Sequence, residues 1–162
     1  MYAKRSVSTR IAKYLFVVII FMGIISSLSL LVMASNKSDA EAINISGSLR
    51  MQSYRLLTEM ERSPDTVEQN LVRYQRSLNA EALLSVQNQL SAPSGVRESY
   101  QKILQRWAVM SDFARAHQIE KYHAELKSYV QDVDDFVLEL QRFAELKWIS
   151  AVSVLCVSMV LI

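Results

Sequence analysis

The sequence predicts an all-α protein: an antiparallel up-down-up-down four-helix bundle flanked by two transmembrane helices. Three observations carry this. Glycine and proline are scarce, with three glycines and two prolines in 162 residues, which disfavours strand-rich folds and glycine-rich phosphate loops and suits long helices. Charge is absent from Tyr14 to Ala34 and again from Trp148 to Ile162. Between those two runs, apolar residues recur every three or four positions, the period of a helix with one buried face.

Residues 1–13 carry Lys4, Arg5, Arg10 and Lys13 and no acid. Residues 14–34, YLFVVIIFMGIISSLSLLVMA, match the ~20 residues needed to cross a ~30 Å hydrocarbon core. A cleaved signal peptide competes with this reading, because Val32-Met33-Ala34 resembles a small-x-small cleavage site. Signal-peptide apolar regions run to about 7–15 residues, which favours a retained span. Gly23, Ser26, Ser27 and Ser29 suit close packing against another helix. The basic cluster before the span leaves the N-terminus in the cytoplasm and exports the segment after the span. Residues 148–162 open a second apolar run behind Lys147 and Trp148, a basic and aromatic pair typical of a membrane interface. About 15 residues are too few to span, so this stretch reads as the start of a truncated second transmembrane helix.

The insert, residues 35–147, reads as the bundle. Four of the 18 basic residues precede the first span, and the rest share the insert with all 16 acidic ones. That near-neutral balance gives no electrostatic case for nucleic acid. Ser63-Pro64-Asp65 ends one helix, with Asp65 and Glu68 spaced as a capping box. Ala92-Pro93-Ser94-Gly95 makes a second break. The third is a phase slip. The stripe Val96, Tyr100, Ile103, Trp107, Met110, Ala114 gives way to another running from Ile119 through Tyr122, Leu126, Tyr129, Val133, Phe136, Leu140 and Phe143. A turn near Ala116–Gln118 accounts for it. The helices then lie near 36–62, 66–90, 95–115 and 119–147, and short connections make them antiparallel neighbours. The first continues out of the first span and the last runs into the second.

Stepping three or four along the first helix gives Ala40, Ile43, Gly47, Arg50, Tyr54 and Leu57. Arg50 is the anomaly on this seam. It snorkels, pairs with an acid from another helix, or holds an anion. Gly47 favours the anion, because a lone glycine inside a helix costs about 1 kcal/mol relative to alanine and marks close backbone approach or a ligand. Arg55 falls with Ser48, Met51, Thr58 and Arg62 on a mostly polar face, where a salt bridge is expected.

Other constellations carry less. Asp132, Asp134 and Asp135 lack an EF-hand's glycine and glutamate spacing and read as a solvated helix face. His117 and His123 share no helix face, so no metal site is expected. Asn36-Lys37-Ser38 and Asn44-Ile45-Ser46 match the glycosylation pattern, which recurs by chance. Trp107 and the tyrosines sit at core spacing. Cys156 stands alone, which excludes an intrachain disulfide framework and a cysteine zinc cage. No kinase, hydrolase or nucleotide motif is present, and no catalytic residue is expected here.

The segment DAEAINISGSLRMQSYRL, residues 39–56, resembles the signature segment (the P-box) of bacterial nitrate/nitrite sensor histidine kinases of the NarX/NarQ type. The layout of short basic N-terminus, span, helical insert and second span is similar too. The resemblance implies a homodimer in the bacterial inner membrane with a periplasmic sensor domain. Nitrate, or nitrite, would sit at the dimer interface, held by Arg50 of each protomer with Gly47 lining the site. Ile43, Ser46, Met51 and Tyr54 are further candidate lining residues. The resemblance also implies HAMP, phosphoacceptor and ATP-binding domains elsewhere in the protein, and a response regulator as partner. No cofactor is expected in this segment, ATP belonging to the kinase portion. Two alternatives stand beside this reading: a membrane-anchored helical structural protein in which Arg50 makes an ordinary ion pair, and a chemoreceptor-type input module with a different ligand or none.

Overall fold

A computed structural model of the chain describes residues 7–160. Lys4 and Arg5, which contribute to the orientation argument, and residues 161–162 of the second apolar run lie outside the described residues. All regular structure in the described residues is helical.

The first helix, α1 (Val7–Arg62), is unbroken over 56 residues, about 84 Å at 1.5 Å per residue. Its N-terminal part is the one helical stretch among the described residues that is long and apolar enough to cross a membrane. Side chains there, such as Tyr14, Phe16, Leu30 and Met33, are exposed. Only one row in it, Phe21, Ile25, Ser29 and Val32, is half-buried.

After Arg62 the chain turns through a single 3-10 turn, Pro64–Thr66. The expected capping box does not form. Thr66 occupies the cap position of α2 (Val67–Leu78) and makes no side-chain cap bond; its hydroxyl donates to the Ser63 carbonyl instead. Pro64 forces this tight start, and the 3-10 turn draws Asp65 out of register with Glu68.

The expected second helix, 66–90, is two helices. After α2 the chain is extended at Ala80, with φ −62° and ψ 138°, and resumes as α3 (Glu81–Gln87). The break has a physical cause. The Leu78 carbonyl accepts from the Tyr100 hydroxyl at 2.8 Å, so it needs no amide from the next turn. Asn79, a poor helix former, sits where the chain turns. The Ala80 carbonyl then accepts from the Leu83 and Leu84 amides and starts α3.

α4 (Ser94–Arg115) begins at the expected Pro93 break, and α5 (Ile119–Val160) runs 42 residues to the end of the described chain. Between them the phase slip is a Schellman turn. The Gln118 amide donates to Phe113 O and the His117 amide to Ala114 O, with His117 in the left-handed region at φ 52°. Both stripes that flank the slip are buried, apart from half-buried Ile119.

α1 packs along α5 and against α2 and α3, while α4 packs along α5 and touches α2. The core runs from Ala42 to Phe143. At its centre Trp107 stacks on Tyr74 with ring centroids 3.6 Å apart. The hydroxyls of Tyr74 and Tyr129 are 2.7 Å apart, the Ser53 hydroxyl contacts that of Tyr74, and Tyr122 donates to the Ser53 carbonyl. Buried hydroxyls are thus paired with one another or with backbone, as burial requires. Burial raises the pKa of Tyr74, Tyr122 and Tyr129 well above the usual tyrosine value.

Candidate functional site

The residues that α1 buries against the rest of the chain are Asp39, Ala42, Ser46, Leu49, Ser53, Leu56 and Met60. This row keeps a helical step of three and four, but it is offset by one residue from the seam that contains Arg50. The seam that contains Arg50 is therefore not the row that the chain's own helices bury. Ala40, Tyr54 and Arg50 are exposed, and Ile43, Gly47 and Leu57 are half-buried. The row is outward-facing. Periodicity along one helix cannot say which of two adjacent apolar rows enters the helix's own bundle.

The Arg50 guanidinium is tethered at two points. Nη1 donates to Asp134 Oδ1 of α5 at 2.7 Å, and Nε reaches back to the Gly47 carbonyl at 3.4 Å. Asp134 and Arg50 are both substantially exposed, at 38% and 46%. A pair this exposed stabilises by about 0–1 kcal/mol at most. A guanidinium has five N–H donors, so two tethers leave donors on Nη2 and Nη1 for a planar oxyanion.

Gly47 lies beside this group. A Cβ added there would meet only Arg50 Nη2, at 3.8 Å, an ordinary contact. Packing within the chain thus does not require glycine, although glycine weakens the helix at this point. Met51 and Tyr54 flank the arginine and are 70% and 51% exposed. Ile43 is half-buried one turn below Gly47. The structure brings Ile43 and Tyr54 to the same side of α1 as Arg50, while Met51, one residue on, lies about 100° round the helix on the face of Arg55. It does not bring Ser46 there: Ser46 is fully buried on the inward row, and its hydroxyl donates to the Ile43 carbonyl at 2.9 Å.

Arg55 bonds Glu59 at 2.7 Å one turn along α1 and stays at the surface. The aspartates of α5 are not one solvated face. Asp132 is buried and ion-paired with Lys102 at 2.7 Å and Arg106 at 3.1 Å, both on α4. Asp134 pairs with Arg50, and Asp135 accepts from Gln131. Asp134 is the site residue that sequence reasoning missed, since nothing in a single helix's period announces a partner 84 positions away.

Known proteins resemble the chain along its whole length. The family described as "Type IV pili methyl-accepting chemotaxis transducer N-term" (PilJ) matches residues 31–129, which include Arg50, Gly47 and most of the packed helices. The chain is 62% identical over its full 162 residues to the "Sensor protein NarQ homolog" of Haemophilus influenzae (strain ATCC 51907 / DSM 11121 / KW20 / Rd). It is 33% identical over 154 residues to the "Nitrate/nitrite sensor protein NarQ" of Escherichia coli (strain K12), a match covering 95% of the chain. It spans 29% and 27% of the lengths of these relatives. The likeness to NarX/NarQ-type sensors expected from residues 39–56 thus extends well beyond that segment. By its match over residues 31–129, the chain belongs to the family of type IV pili methyl-accepting chemotaxis transducer N-terminal modules.

Proposed function

We propose that this chain is the sensory input of a homodimeric transmembrane receptor of a two-component system, and that it binds nitrate between the Arg50 side chains of two protomers. In this reading α1, the α2–α3 pair, α4 and α5 form an up-down-up-down four-helix bundle in the periplasm. The uncharged stretch of α1 is the first membrane span, and that of α5 is the start of the second. The arrangement couples to a cytoplasmic histidine kinase carrying ATP, and through it to a response regulator. The name of the Escherichia coli relative supplies nitrate and nitrite as candidates.

The observation that carries the proposal is the outward row of α1. An arginine, a glycine that the chain's own packing does not require and the exposed ring of Tyr54 share one helix face. A second copy of α1 across a two-fold axis would cover that face. It would also give the glycine a reason, because two helix backbones approach most closely where one side chain is missing. Two guanidinium groups ~6 Å apart repel by roughly 3 kcal/mol at an effective dielectric near ~20. The Asp134 carboxylates offset part of this. A planar monoanion between the forks removes more of it and draws the helices together, so ligand and conformation are linked.

Nitrate has few atoms with which to bind. At a ceiling of about −1.5 kcal/mol per heavy atom, its four atoms give about −6 kcal/mol, a Kd of tens of micromolar. Calorimetric titration of the detergent-solubilised chain with sodium nitrate tests the proposal. Wild type should bind in the micromolar range, Arg50→Ala should not bind measurably, and Arg50→Lys should weaken binding at least tenfold because it loses the planar fork. Unchanged affinity in Arg50→Ala would reject the site. The family description, which names a chemotaxis transducer, favours one variant of this reading, in which the same module drives a chemoreceptor output.

A further inference from the structure

Leu90, in the connection between α3 and α4, is fully exposed, at 103%. No other large apolar side chain among the described residues is as exposed, those of the uncharged stretch of α1 included. A single exposed leucine is ordinary on a protein surface. Its setting is not. Between Arg76 and Arg97 the chain carries one charge, Glu81, although 21% of the whole sequence is charged. Val86 and Ala92, on either side of Leu90, are buried against the bundle.

Contacts between helices fix the level of this connection. The Ser85 hydroxyl of α3 lies 3.5 Å from that of Ser38 on α1. Four residues on, Gln89 Oε1 accepts from Lys147 Nζ at 3.3 Å. The same ammonium donates to Ser35 Oγ at 3.3 Å and to Asp39 Oδ1 at 2.6 Å. Going forward along α3 is thus going back along α1, toward its uncharged stretch. Ser35 follows the apolar run that ends at Ala34, and exposed Trp148 follows Lys147 at the start of the second apolar run. Gln89 therefore stands where both long helices change from charged to uncharged, and Leu90 comes next.

We propose that Leu90 inserts into the boundary between headgroups and acyl chains of the bilayer, as a third membrane contact of the bundle beside α1 and α5. Taking a leucine out of water at that depth is favourable, and membrane-surface segments bury their apolar side chains there. The partner is lipid, met through its apolar boundary rather than its headgroup charge, because the connection offers no lysine or arginine between Arg76 and Arg97. α1 and α5 pack side by side, so a bundle carried on those two alone can rock about the line that joins them. A third contact resists that rocking. The inference rests on the membrane-span part of the proposed function and not on nitrate.

The test uses the full chain in phosphatidylcholine nanodiscs, in a Cys156→Ser background, with a small fluorophore on Ser91→Cys. Ser91 is exposed, and labelling it leaves Leu90 native. Lipids carrying a nitroxide near the headgroup should quench this fluorophore at least threefold more than one on Val72→Cys, an exposed apolar position on α2. Leu90→Gln, at a side chain that nothing in the chain covers, should leave the fold intact, cut that quenching at least twofold and open the label to iodide in the water. Equal lipid quenching with leucine and with glutamine overturns the contact. So does a label on Ser91→Cys that iodide reaches as readily as one on Val72→Cys. A label shielded from iodide yet not reached by nitroxide lipid is covered by protein, a second copy or another partner, and this too overturns it. A label on Ile24→Cys, in the uncharged stretch of α1, is read separately with nitroxides deep in the acyl chains. No quenching there rejects the membrane span itself, whereas quenching there without quenching at Ser91→Cys rejects the Leu90 contact alone.

Discussion

The two faces of α1 obey the same helical period and do different work. The inward row, from Asp39 through Leu49 and Ser53 to Met60, is almost fully buried by the other helices of the protomer. The outward row, through Ile43, Gly47, Arg50 and Tyr54, stays half-buried or exposed. One row is explained by the chain's own packing. The other is left uncovered by the chain's own helices, and it holds the arginine. A helix with two apolar rows thus has one packed face and one open face, told apart by burial rather than by composition, and the proposed function assigns recognition to the open one.

The largest expected effect would sharpen that contrast. Leu49 has no exposed surface, and Leu49→Ala should destabilise the protomer by about 2–5 kcal/mol in denaturant titrations. Tyr54→Ala, on the outward row, should cost the protomer less than about 1 kcal/mol and instead weaken self-association. Equal losses of protomer stability would erase the distinction between the rows.

A second test addresses what the inward row leans on. The hydroxyls of Tyr74, Tyr122 and Tyr129 are raised above their ordinary value mainly by burial. The unfolded chain therefore loses these protons first as pH rises. Their contribution is fully present below about pH 10 and is lost progressively above it. Urea midpoints should hold between about pH 7 and 9 as far as these groups are concerned and fall above about pH 10. A Tyr129→Phe variant should show a shallower fall.

Smaller effects lie off both rows. His117 takes a left-handed backbone conformation, which a non-glycine residue adopts at a cost of about 1 kcal/mol. His117→Gly should raise stability by up to about that amount, and a loss would mean that its side chain contributes more than its backbone costs. Arg55→Ala removes one surface pair within α1 and should change stability by about 0.5 kcal/mol or less, with little effect on nitrate affinity. Loss of nitrate binding in Arg55→Ala would move the site to the wrong face of the helix.

Much of the fold is legible in the sequence. The stripes of α4 and α5 can be read residue by residue, because each of those helices has one apolar row and the Schellman turn between them leaves a phase slip. The break between α2 and α3 cannot, because it depends on a hydroxyl from Tyr100, which lies on another helix. Arg50 stands out as an anomaly on an apolar row, but periodicity alone points that row inward and groups its partner Asp134 with solvated aspartates. Ser46 neighbours Gly47 in sequence and so suggests itself for the site, whereas one residue along a helix turns the side chain by about 100°. Local rules carry the elements. Contacts between helices decide the rest.

The most direct test of the central claim is the stoichiometry of nitrate binding to the full chain, by calorimetry with the active protein concentration fixed independently. The account predicts one nitrate per two chains, with Arg50→Ala removing the binding. One nitrate per chain, retained when Arg50 is replaced by alanine, would contradict it.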